Sequence, residues 1–310
     1  MRIALMVEGQ EGVTWDEWLA LALAAEIAEL DGLFRSDHLS AVYRSEAASL
    51  EAWTTLAALA AVTKRIRLGT LVTPVTFRHP SLLARTVATV DHVSGGRVEL
   101  GLGAGWYERE HRSAGIHFPQ PSAARFDLLA EQLEIIVRTW TESGFDHVGA
   151  DYTLENQTAL PPPLQQPHPP IILGGTAKAR GAALAARWAS EYNSLSARPD
   201  ELAARRARLD AACNALGREP STLGFSMMTT VIIGADQTDV DARMHAARQI
   251  VGPAWEAQVS NWIVGTSKTV LQRLTDLSVS GLSRIYLKLL DHRDLATVLK
   301  LGELAREVGR

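Results

Sequence analysis

Residues 66–74 read Ile-Arg-Leu-Gly-Thr-Leu-Val-Thr-Pro, residues 77–80 Phe-Arg-His-Pro, and residues 94–106 Ser-Gly-Gly-Arg-Val-Glu-Leu-Gly-Leu-Gly-Ala-Gly-Trp. The spacing predicts strand, helix, strand. The first strand runs from 66 to about 72, and Pro74 ends it because proline has no amide to give to a ladder. Pro80 suits the first position of a helix whose buried stripe is Leu82, Leu83, Val87, Val90 and Val93. Gly95-Gly96 supplies the left-handed exit, and 97–102 is the next strand. Both strands end in glycine-rich turns, where an α/β protein places a cofactor.

The same alternation extends in both directions. Residues 1–8 are strand-like, Thr14-Trp15-Asp16-Glu17 forms a capping box, and Trp18, Leu19, Ala22, Leu23, Ile27 and Leu30 follow at helical spacing. A strand at 32–36 and a helix at 50–62 lead into the opening stretch. Beyond Trp106 come an irregular insertion, a helix over 122–140, and a loop rich in proline (Pro161, Pro162, Pro163, Pro167, Pro169) that is expected to cover one rim. Strands at 170–175, 191–195, 223–233 and 284–290 follow, with a helix to 188 and a last helix over 294–308. Eight strands alternating with helices in 310 residues favour a (β/α)8 TIM barrel over an open sheet in two domains. The expectation is one domain over 1–310 with insertion loops at the strand C-terminal face, at about 106–121, 146–169 and 234–264.

Composition narrows the partners. Hydrophobic residues make 46%, charged residues 21%, and the net charge is −4, an ordinary globular balance. No basic tract would track a nucleic-acid backbone or an anionic membrane, and no apolar run approaches the roughly 20 residues of a membrane span. The first residues show no signal-peptide pattern. The single Cys213 excludes an intrachain disulfide and a cysteine zinc cluster. It lies on a helical pattern with Arg206, Leu209, Ala212 and Leu216, reads as a packed thiol, and suits a reducing cytoplasm. No metal is expected: His111 and His117 flank an insertion and can line the mouth, His92 sits in a helix, His245 and His292 read as exposed, and no His-Glu-x-x-His spacing occurs. The absence of a Gly-x-Ser-x-Gly elbow argues against an α/β-hydrolase.

In a barrel the chemistry belongs at strand carboxyl ends. That selects Glu8, Asp37 and His38, Thr70, Leu71, Val72 and Thr73, Gly103, Ala104, Gly105 and Trp106, Gly174 and Gly175, and Asn193. The pattern Gly101-x-Gly103-x-Gly105 is not the dinucleotide fingerprint, which needs glycine where Trp106 stands. It permits either a tight turn or the close approach of a flat ring or phosphate to bare backbone. Gly174-Gly175-Thr176 precedes a helix carrying Lys178 and Arg180, a place for a phosphate. His38 is the acid/base candidate, since histidine titrates near neutrality; Asp37 points to the other side of an extended backbone and is not its automatic partner. Tryptophans 15, 18, 53, 140 and 188 fall on helical patterns and read as packing residues, while Trp106 follows the glycines and is placed to wall a planar ligand.

Six blocks occur in order: Ser36-Asp37-His38-Leu39, 67–74, Phe77-Arg78-His79-Pro80, Ser94-Gly95-Gly96-Arg97, 101–106 and 170–175. Together they resemble the bacterial luciferase-like monooxygenase superfamily, and within it the branch of oxidoreductases using coenzyme F420. The resemblance covers essentially the whole chain. It implies a barrel holding a flavin-like ring at the strand ends, a non-proline cis peptide near Val72-Thr73, and ring contacts from Gly103 to Arg109, including Arg109 itself. By the same resemblance Gly174, Gly175 and Thr176 bind the cofactor phosphate, and His38 stands over the ring. Relatives that oxidise a sugar phosphate carry glutamate where this chain has Trp106; Glu8, Glu108 and Glu110 are the carboxylates available in its place, and the sequence alone does not place them. The implied function is hydride transfer between F420 and a small organic substrate, with FMN and molecular oxygen in a monooxygenation as the alternative. A non-catalytic flavin-binding protein is disfavoured by the retention of His38 with both glycine segments. A homodimer is implied, and substrate choice is assigned to the insertions at 106–121 and 146–169.

Overall fold

The computed structural model describes residues 1–44 and 47–308. Eight strands form the barrel: Arg2–Val7, Gly32–Arg35, Arg67–Thr70, Val98–Gly103, Ile171–Gly175, Glu191–Leu195, Gly224–Gly234 and Arg284–Leu289. Each pairs in parallel with the next, and Arg2 pairs with Arg284, so the last strand closes on the first. The fold is the (β/α)8 barrel, and that closure removes the open sheet.

Alternation sorts the side chains. On the last strand Ile285, Leu287 and Leu289 pack outward into the main core, while Tyr286 joins Ala4, Met6, Phe34, Leu71 and Ile172 inside the barrel. Phe34 fills the interior because strand glycines leave it room. A Cβ on Gly69 would lie 2.7 Å from the Phe34 ring and would collide with the Glu99 carbonyl. Tyr286 meets Phe34 edge-on at 4.9 Å between centroids.

Charges close the amino-terminal end of the barrel. Arg284 donates to both oxygens of Glu99 at 2.8 and 3.0 Å and to the Tyr286 hydroxyl at 2.6 Å, and Tyr286 donates to Glu191 at 2.7 Å. Arg67 also pairs with Glu99. Burial opposes both charges, yet Arg284 is held above its ordinary pKa by Glu99, and Glu99 below its own by Arg284 and Arg67. This end is a sealed polar floor, so a ligand must enter from the other end.

Several local readings need correction. Pro74 does not end the third strand: after a break, Thr73–Pro74 resumes pairing with Leu102 and Gly103, and the amide of Val75 donates to the Gly103 carbonyl at 2.9 Å, so the missing Pro74 amide is not needed. The non-proline cis peptide lies between Leu71 and Val72, one residue earlier than expected. On the helix Pro80–Ser94 the buried face is Leu83, Ala84, Val87, Ala88 and Val90, while Leu82 and Val93 lie one step round and are exposed. On Trp15–Ile27 the buried face is Trp18, Leu21, Ala22 and Ala25; Trp15, Leu23 and Ile27 are exposed although the Thr14 capping box forms as read. His292 is buried against Glu17 at 3.2 Å rather than exposed. Cys213 is buried.

The insertions have structure of their own. Residues 106–121 include a short helix, Glu108–Ala114. An antiparallel hairpin, Phe145–Val148 with Thr153–Gln157, precedes the proline-rich loop. Within 234–264 the helix Gln237–Val251 is followed by short turns and by Ile263–Thr266, which pairs with residues 231–234 where the seventh strand runs beyond the barrel. Among the described residues no helix is long and apolar enough to cross a membrane.

Candidate active site

A cavity of about 700 Å³ opens at the carboxyl ends of the strands. Its inner wall is apolar, with Leu71, Val72, Leu173 and Met228, and its floor includes the bare backbone of Gly103 and Gly174. The bare backbone has a steric cause, since a Cβ on Gly103 would come within 2.7 Å of Val72. The rim is polar and aromatic: Glu8, Ser36, His38, Tyr43, Trp106, Glu110, Asn193, Thr230, Trp262 and Lys288.

His38 lies three residues past the end of the second strand, with 13% of its side chain exposed, and its Nδ1 lies 2.8 Å from Glu110 Oε1. The other oxygen of Glu110 accepts the Leu39 amide at 2.9 Å. Glu110 is buried, so its carboxylate is aimed by these two contacts. Burial works against a charged imidazole here, but the hydrogen bond and charge of Glu110, aided by Glu8 and Asp37, outweigh it and hold the His38 pKa above its ordinary 6.5. With Nδ1 engaged, Nε2 is the nitrogen left for a ligand. The Trp106 ring meets His38 edge-on at 5.6 Å and stacks on Tyr107 at 5.1 Å, and is 63% exposed.

Asp37, two residues past the strand, is turned away from the cavity. Its carboxylate accepts the Thr73 hydroxyl at 2.7 Å and Arg78 at 2.6 and 3.3 Å. Thr70 is likewise occupied beneath the mouth, donating to the Gly101 carbonyl at 2.9 Å. Thr70 and Thr73 thus brace the strand ends, while Leu71 and Val72 face the cavity.

Glu8, just past the first strand, and Lys288, on the eighth, continue the rim beside His38. Lys288 Nζ is 3.5 Å from Glu8 Oε1 and donates to the Tyr43 hydroxyl at 3.1 Å. Gln10 donates to Glu8 at 2.9 Å. Burial opposes both charges, but each stabilises the other, so Glu8 lies below and Lys288 above its ordinary pKa.

The structure brings His38, Leu71, Val72, Gly103, Ala104, Gly105, Trp106, Gly174, Gly175, Glu8 and Asn193 to one cavity. Asp37, Thr70, Thr73, Arg109 and Thr176 lie outside its lining. Arg109 and Thr176 are exposed. Arg180 pairs with Asp127 and donates to the Ala123 carbonyl at 3.0 Å, so its guanidinium is held against a neighbouring helix. His111 does not line the mouth: it is buried, hydrogen-bonded to Thr76 and to the Tyr107 carbonyl. No residue of 146–169 lines the cavity, whereas Ala257, Gln258, Asn261 and Trp262 do. This segment is latched by hydrogen bonds from Ser196 at 2.7 Å and Thr229 at 2.9 Å to the Asn261 carbonyl. Lys288 is legible as an inward position from its spacing to Arg284 and Tyr286; Glu110 is one of three candidate carboxylates that the sequence leaves unplaced, and the 257–262 segment carries no local signal.

The residues present fit a flat, tailed cofactor. Glycine backbone and apolar side chains give a ring-sized face, and the lining continues past Gly175 to Ser122, Arg125, Gly181 and Tyr192, where a polar tail has donors. Gly175 has a φ of +144°, a conformation that leaves its amide unshielded by a side chain.

Comparison with known proteins places this architecture. The chain is 31% identical to pyrimidine monooxygenase RutA of Escherichia coli over 239 residues, 74% of this chain and 62% of that one. The curated relatives it matches are longer or only partly aligned, the matches spanning 45% and 62% of their lengths. An F420-dependent secondary alcohol dehydrogenase, solved with an F420-acetone adduct, superposes with a TM-score of 0.85 at 20% identity, over 100% of this chain and 99% of that one. The oxygenating constituent of 3,6-diketocamphane monooxygenase of Pseudomonas putida, solved with FMN, superposes with a TM-score of 0.80 at 19% identity, over 99% and 98% of the two chains. Flavin-type cofactors of both kinds therefore occur on this fold. The model of the luciferase-like monooxygenase family matches residues 2–283, nearly the entire barrel just described. This chain belongs to the luciferase-like monooxygenase family.

Proposed function

We propose that the protein transfers hydride between coenzyme F420 and a small organic carbonyl, imine or activated alkene, with His38 moving the accompanying proton. The observation that carries this reading is the His38–Glu110 pair at the cavity mouth. Bound F420 would supply a two-electron hydride carrier. Hydride delivery to an unsaturated group leaves a basic atom that must be protonated, and the reverse reaction must remove that proton. His38 is suited to both, because Glu110 orients the ring through Nδ1 and favours its charged form, which leaves Nε2 outside that contact on a residue lining the cavity. Leu71, Val72 and Gly103 would back the ring, and Trp106 would border it. The 257–262 segment, latched by Ser196 and Thr229, excludes water from the mouth.

A second reading keeps the same cavity for reduced FMN and molecular oxygen. It is favoured by the 31% identity to a monooxygenase across 74% of this chain. Parallel binding titrations with F420 and FMN separate the two. Tighter binding of F420 is expected, and micromolar FMN affinity with no F420 binding overturns the first reading. With the cofactor known, His38→Ala tests the proton role; undiminished turnover rejects it.

A further inference from the structure

Thr230 and Lys288 are register partners on the seventh and eighth strands, and both face the cavity. Thr230 is 1% exposed, and its hydroxyl has no hydrogen-bond partner among the described residues. A buried hydroxyl without a partner is costly unless a ligand or water completes it. Lys288, 5% exposed, has three N–H groups; one meets the Tyr43 hydroxyl and another faces Glu8, which leaves a third. Two donors on adjacent strands are therefore available where a ligand would sit.

We propose that Thr230 Oγ1 and Lys288 Nζ form a two-donor seat for an uncharged carbonyl oxygen of the substrate, a ketone, aldehyde, amide or imide, and that Glu8 selects against anionic substrates. This rests on the reading of the cavity as a substrate site. A carbonyl oxygen has two lone pairs and accepts from both donors at once. Glu8 already balances the charge of Lys288, so a carboxylate entering here meets a second carboxylate beside a cation that is already paired. The neighbouring His38 is balanced in the same way by Glu110. An oxygen that brings no charge is the acceptor this arrangement fits.

The test uses the full chain and three probes of similar shape: acetophenone, its oxygen-free counterpart α-methylstyrene, and benzoate, followed by ligand-observed NMR titration. Acetophenone is expected to bind more tightly than the alkene, and benzoate least. Thr230→Val, which keeps the shape and removes the hydroxyl, should reduce the ketone-to-alkene preference about threefold to tenfold, the value of one hydrogen bond. Glu8→Gln should raise benzoate affinity relative to acetophenone. Equal binding of ketone and alkene by the unsubstituted protein, an unchanged preference in Thr230→Val, or binding of none of the three overturns the proposal. A wrong cofactor assignment would instead appear in the F420 and FMN titrations and leave the probe ratios unaffected.

Discussion

His38 Nδ1 and Glu110 Oε1 lie 2.8 Å apart although 72 positions separate them in the chain. One residue lies three positions past the second barrel strand and the other belongs to a short helix in the loop after the fourth strand. The contact gives the cavity mouth an oriented imidazole with a buried carboxylate behind it.

Glu110→Gln should lower the His38 pKa, measured by NMR titration of the imidazole, because the amide keeps a hydrogen-bonding group and removes the charge. In the parent protein the folded-state pKa is raised, so the protonated pair stabilises the fold fully below the unfolded value of about 6.5, and the contribution is lost as pH rises through the folded pKa. Urea denaturation should therefore show Glu110→Gln less stable than the parent at mildly acid pH, with the part of the difference due to His38 shrinking above neutrality. An unmoved imidazole pKa would sink the argument.

Removing one partner of the barrel floor should be expensive. Glu99→Ala leaves the Arg284 guanidinium buried without its main counter-charge, and a loss of about 3–5 kcal/mol is expected in equilibrium unfolding. The parent protein should also weaken in acid. Burial tends to raise the Glu99 pKa, but Arg284 and Arg67 depress it, so its stabilisation is present above the unfolded value near 4.5 and is lost as pH falls through the lower folded value. Glu99→Ala should lack that component of the acid response.

Gly103→Ala should crowd the cavity floor, since the new methyl would lie 2.7 Å from Val72 Cγ2. A loss of about 1–3 kcal/mol and weaker cofactor binding are expected. Because the obstacle is a side chain, adding Val72→Ala should restore much of the stability. No rescue in the double variant, read by thermal unfolding, would place the problem in the backbone instead.

Trp106 should become shielded when a planar cofactor binds, with quenching of its fluorescence. Trp106→Ala should weaken binding by roughly tenfold, in keeping with the loss of one aromatic contact. Equal affinity in the variant would remove Trp106 from the ring wall.

Much of the architecture follows from local patterns. The capping box at Thr14, Pro80 at a helix start and Gly95 at its exit act over a few residues, so they could be read without knowing what packs against them. The misplaced faces of Leu82 and Ile27 arose where a helix rich in small and apolar residues leaves its buried direction ambiguous until the barrel is present. Pro74 was misread because its missing donor matters only on the side of the strand that must donate, and here it is followed by Val75, which does.

The sequence by itself determined the order of strands and helices, the glycine segments at the strand ends and the position of His38 among them, because alternation and turn chemistry depend on near neighbours. Tertiary structure decided which side chains meet. Closure of the last strand on the first brings Lys288 beside Glu8, and the paths of two insertions carry Glu110 to His38 and Gln258 to Tyr43. Those contacts depend on how distant segments share one mouth, and no local periodicity encodes that.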